Sequence, residues 1–151
     1  MNKKKNNAEI ADRHQQLITL ALLFWALKYV ASAAKVIVEG STVFYLDLIE
    51  IVFVVLGLGI FITIIFSKFR NLSKAERRSY IDPDGYLFSI AKKAMSRSWA
   101  ITFIVLAFLE PVTKHYLADL PPRFFIKAII ALLLGTFSIT FFILDRKESS
   151  G

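Results

Sequence analysis

FYLDLIEIVFVVLGLG, residues 44–59, is a stretch that lipid would accept almost throughout, yet it carries Asp47 and Glu50 three positions apart. Extended in both directions, the apolar run reaches from Val43 to Phe66. That exceeds the ~20 residues needed to cross a bilayer. Three further windows have the same character, about Leu17–Val38, Trp99–Leu117 and Phe124–Leu144. Short turns separate them in pairs. Glu39-Gly40-Ser41-Thr42 lies between the first two, and Ala118-Asp119-Leu120-Pro121-Pro122-Arg123 between the last two. Gly and Pro-Pro are the expected breakers at such corners. The pattern predicts an all-α membrane protein: a single domain of four transmembrane helices arranged as two antiparallel hairpins, in effect a four-helix bundle. One polar loop, residues 67–98, joins the hairpins.

Composition agrees. The 151 residues are 56% hydrophobic and include 14 Phe, and the mean hydropathy is +0.55. A soluble domain is nearer ~45–50% apolar. There is no cysteine, which excludes disulfides, thiolate metal sites and Cys nucleophiles. The N-terminus MNKKKNNAEIADRHQQ is basic, as in a signal peptide, but the following apolar run is longer than the ~7–15 residues of such peptides. It is expected to be a retained first span.

Lys and Arg set the orientation. Residues before the first span, the 67–98 loop and the C-terminal tail together hold fourteen of them, against four on the opposite side: Lys35, Lys114, Arg123 and Lys127. Both termini and the loop are therefore expected in the cytoplasm, with the protein in the cell's inner membrane. The net charge of +7 is then a topology signal, and nucleic acid is not expected as a partner.

Within the loop, Ser73 and Glu76 fit a capping box, and Asp82-Pro83 offers a helix start. Asp82-Pro83-Asp84-Gly85 lacks the ligand pattern of a calcium loop and reads as a turn. Leu87, Ile90, Ala91 and Ala94 then fall on one stripe, with Lys92, Lys93 and Arg97 elsewhere. This predicts an amphipathic helix leading into the third span, with Trp99 at the water–lipid boundary. Lys92, Lys93, Arg97 and Trp99 are candidates for gripping anionic lipid headgroups or for docking a partner.

The charges inside the spans are the other candidates. Lys28 precedes Gly40 by twelve positions and Glu50 follows it by ten, so antiparallel helices bring them to similar depth. Lys35 and Asp47 match in the same way, nearer the turn. Lys28, Ser32 and Lys35 share a helical face, as do Asp47, Glu50 and Gly57. Glu110 is expected to reach Lys114 or Lys127, and Pro111 frees a backbone carbonyl one turn earlier. An ionised side chain at mid-membrane costs at least ~2.5–3.5 kcal/mol on insertion scales and generally turns inward to pair. The expected pairs fix the register of the first hairpin, form part of an ion or proton route, or leave one group for a partner protein.

Ala31–Ala34, Gly57, Gly59 and the stripe Ala128, Ala131, Gly135, Ser138 allow close helix approach. No nucleophile elbow, phosphate loop or metal-ligand spacing is present. No enzymatic activity, cofactor or metal is expected. Two functions remain. One is a non-enzymatic accessory, regulatory or immunity-type partner of another membrane protein or of itself. The alternative is a small oligomeric transporter or channel subunit using Lys28, Asp47 and Glu50.

Overall fold

The computed structural model describes residues 2–71, 86–116 and 119–149, with side chains described outside 2–11, 68–71, 86–87, 110, 113–116 and 148–149. These residues form helices α1 (Asn2–Ala34), α2 (Ser41–Asn71), α3 (Tyr86–Tyr116) and α4 (Pro122–Ser149). The expected capping box at Ser73–Glu76 and the Asp82–Gly85 turn lie outside the described residues.

Helix α1 ends four residues short of the expected Val38. The amides of Val36 and Ile37 donate to the carbonyls three residues back, at Ala33 and Ala34 (both 3.0 Å). Gly40 then takes φ +73°, a left-handed conformation that glycine adopts without steric cost. The whole stretch 35–40 is spent on reversal, and α2 starts at Ser41. Helix α4 opens on Pro122, whose fixed φ suits the first helical position and whose missing N–H leaves no bond unmade.

The helices stand in a row, in the order α2, α1, α4, α3. Neighbours run antiparallel. Between α1 and α2, Lys35 meets Asp47 at one end and His14 meets Ser67 at the other. Between α1 and α4, Lys127 reaches Ser32 at one end and Gln16 bonds Asp145 at the other. The start of α1 and the end of α4 thus share one end of the molecule. Among the described residues α2 and α3 are the edges, each with one principal neighbour.

Along α1 and α4 many of the buried side chains are small, and large ones stand on the outside. Ala21, Ala26, Ala31, Ser32, Ala33, Ala131 and Ser138 are buried, whereas Phe44, Phe66, Phe103 and Phe108 are each at least 69% exposed. Water would reject such a surface; hydrocarbon accepts it. Small residues at the contacts let membrane helices approach closely, where dispersion and hydrogen bonds hold them. Among the described residues three helical stretches are long and apolar enough to cross a membrane, Asp12–Ala34, Ser41–Ser67 and Pro122–Lys147. These stretches give the chain the length and composition of a multi-pass membrane protein.

Helix α3 is not among the three. Its expected span, about Trp99–Leu117, includes Glu110 and residues 113–117, which lie outside the described side chains. Nor is the stripe before Trp99 a separate helix: α3 is continuous from Tyr86 to Tyr116, with Pro111 inside it. Ile90 and Ala94 are fully buried against Phe141 and Leu144 of α4. Ile90 and Ala94 of the stripe are thus spent on packing against α4.

Candidate functional site

Four charged side chains meet across α1 and α2 near their turn. Lys28 Nζ lies 3.3 Å from Glu50 Oε1, and Lys35 Nζ donates to Asp47 Oδ1 at 2.6 Å. Lys35 also pairs with Glu50 Oε2. The result is one alternating chain, Lys28–Glu50–Lys35–Asp47, in which Glu50 and Lys35 each serve two neighbours. Premature termination of α1 makes this possible, because Lys35 lies in the turn and is free to reach both acids. Lys28 also sits 4.2 Å from the centroid of its neighbour Tyr29, a cation–π distance.

The chain of charges is not sealed. Glu50 is 17% exposed, Lys35 21%, Lys28 24% and Asp47 52%, so accessibility is greatest at the end nearest the turn. It opens on a groove of about 570 Å³ along the flank of α2, lined by Lys35, Asp47, Glu50, Ile51, Val54 and Val55. Toward the other end of the molecule the α1–α2 contact turns apolar. Phe24 stacks on Phe53 with ring centroids 6.1 Å apart, and Trp25 covers Gly57.

Ser32 and Lys127 belong together, on the other side of α1. Lys127 Nζ donates to the Ser32 carbonyl at 3.1 Å. That carbonyl is among the last four of α1, which have no amide partner inside the helix. The amides of Lys35, Val36, Ile37 and Val38 go to Ala31, Ala33 and Ala34 and pass it by. Lys127 fills the gap and places its cation at the negative end of the helix dipole. Glu110, expected to reach Lys114 or Lys127, and Lys114 itself have side chains outside the described residues. Lys92, Lys93 and Arg97 are exposed on α3, and Trp99 is half exposed.

Two polar contacts are absent from the sequence-based expectations. Buried His14 is 3.0 Å from Ser67 Oγ, and Gln16 donates to Asp145 at 2.9 Å. The register that pairs Lys35 with Asp47 would have found the first, since the two positions of each pair add to nearly the same number. Between α3 and α4, Ser98 donates to the Leu133 carbonyl at 2.9 Å and lies 2.7 Å from Thr136 Oγ1.

No family model matches the sequence, and neither a curated protein nor a solved structure is similar to it. What the arrangement does must be read from its own chemistry. The alternating charges can fix helix register and can present a carboxylate to whatever lies alongside α2. Among the described residues no group of three or more His, Asp or Glu side chains could hold a metal ion.

Proposed function

We propose that this protein is a non-enzymatic accessory or regulatory subunit, of which an immunity-type protein is one form, that binds another membrane protein side by side through α2. One observation carries this reading. Gly59 lies within a helix, where glycine is unfavourable, yet among the described residues nothing beyond its own helix backbone lies within 4 Å of where its β-carbon would be. Gly57 is covered by Trp25, whereas the β-carbon side of Gly59 is covered by no described residue. With Leu48, Val52, Ile62 and Phe66 it falls on the outward face of an edge helix. A glycine on such a face lets a second helix approach closely.

In this reading α1–α2 and α3–α4 are two membrane hairpins, and α3 crosses as a fourth span once its charges are met by headgroups or a partner. The fourteen-to-four distribution of Lys and Arg supports a topology with both termini in the cytoplasm and the protein in the inner membrane. Lys92, Lys93 and Arg97 then face anionic headgroups. The transporter alternative has less support. Phe24, Phe53 and Trp25 plug the α1–α2 contact beside Lys28, so the charges lead to the side of the protein and not through it.

Purification of the tagged protein in mild detergent tests the proposal. A stoichiometric membrane partner is expected, and Gly59→Leu is expected to lose it while the melting temperature stays unchanged. A wild-type protein that purifies alone, or a partner retained by Gly59→Leu, would refute it.

A further inference from the structure

We infer that the groove beside the Lys35–Asp47 pair holds one phospholipid with a primary ammonium headgroup. The charged end of this site, at Lys35, Asp47 and Glu50, lies to one side of the face that carries Gly59, which Val55 joins to the groove, and it does not depend on the proposed partner.

The groove has the polarity gradient of a lipid. Its charged end lies near the turn, where Asp47 is six residues into α2, about 9 Å along the axis. Its apolar wall, Ile51, Val54 and Val55, continues toward the middle of the apolar stretch. A headgroup at the charged end therefore leaves its acyl chain against the valines.

Charge decides the headgroup. Two lysines and two carboxylates balance, so the cluster selects neither a net anion nor a net cation. They are ordered, however. Asp47 is the half-exposed end, and its bond to Lys35 uses Oδ1. Lys35 lies beside it. A zwitterion places its ammonium on Asp47 Oδ2 and its phosphate toward Lys35. A primary ammonium has N–H groups to donate to the carboxylate, and a quaternary one has none.

The test uses the full-length protein in detergent, supplied with an equimolar mixture of phosphatidylethanolamine, phosphatidylcholine and phosphatidylglycerol. Native mass spectrometry then counts the lipids retained. One phosphatidylethanolamine is expected to be held in preference to phosphatidylcholine by about fivefold, the range of an exposed ion pair. Asp47→Asn should bring the two to parity. Should Asp47→Asn fail to fold, Val54→Trp, which fills the groove and leaves the charges intact, should abolish the retained lipid. Equal retention by the wild type, a preference for phosphatidylglycerol, or a preference untouched by either variant would overturn the inference.

Discussion

The indole of Trp25 lies so close over Gly57 that a β-carbon at residue 57 would stand 2.5 Å from Nε1 and 2.6 Å from Cδ1. No ordinary contact is that short, so Gly57→Ala must displace the indole or part α1 from α2. Overpacking of this kind typically costs about 1–3 kcal/mol. Gly59→Ala meets no described residue beyond its own helix backbone and is expected to be neutral or slightly stabilising, since alanine is the better helix former. Thermal melts of the two variants in detergent check the contrast.

The shared roles of Glu50 and Lys35 change what mutation of the charges should do. Glu50→Gln leaves Lys28 without its carboxylate and Lys35 on Asp47 alone, whereas Asp47→Asn leaves both lysines on Glu50. The first should destabilise by about 1–3 kcal/mol, between an exposed and a buried pair, and the second by less than ~1 kcal/mol. Reversing only Lys28 and Glu50 should restore little, because the new lysine at position 50 faces Lys35. Reversal of all four charges should recover more. Unfolding in a denaturing detergent ranks the four proteins, and equal effects of Glu50→Gln and Asp47→Asn would rule out the shared arrangement.

Much of this was legible in the sequence because membrane helices have few ways to go wrong. A run such as Val43–Phe66 can only be helical in lipid, and the Gly40 turn sets the register that aligns Lys28 with Glu50. The row could not be read. Small residues occur on α1, α2 and α4 alike, and their spacing does not say which stripe meets which. Lys127 was equally opaque. Its acceptor is a backbone carbonyl, which every residue carries, and only the end of α1 at Ala34 makes the Ser32 carbonyl available. The stripe of Ile90 and Ala94 was visible, but not that Phe141 and Leu144 would cover it.

Lys127 is expected to act as a cap for α1. Lys127→Met leaves the Ser32 carbonyl without a donor in an apolar setting, a loss of about 1–3 kcal/mol for an unsatisfied polar group. Lys127→Arg keeps a donor and should retain most of the stability. The effect should be local as well: amides of Val36, Ile37 and Val38, which bond just beyond the capped carbonyl, should exchange hydrogen faster in Lys127→Met. Unchanged exchange there would mean that Lys127 serves some other purpose.

The order of the row has its own test, made simple by a chain without cysteine. A β-carbon on Gly135 would lie 3.8 Å from that of Ala26, which matches the mean separation of ~3.8 Å in disulfides. Ala26→Cys with Gly135→Cys should therefore cross-link α1 to α4 under mild oxidation and raise the melting temperature. A closed ring of four helices would also bring α1 to α4, so this pair alone does not separate the two arrangements. The edges do. In a ring α2 would touch α3, and cysteines placed at Gly59 and Ile104 would find each other in one pairing or its neighbours. In the row, α1 and α4 stand between those helices. Scanning several α2–α3 pairs by non-reducing gels, after protease cleavage between residues 71 and 86, should give no bridged product within a monomer. A strong α2–α3 cross-link would close the ring and remove the open edge on which the proposed partner docks.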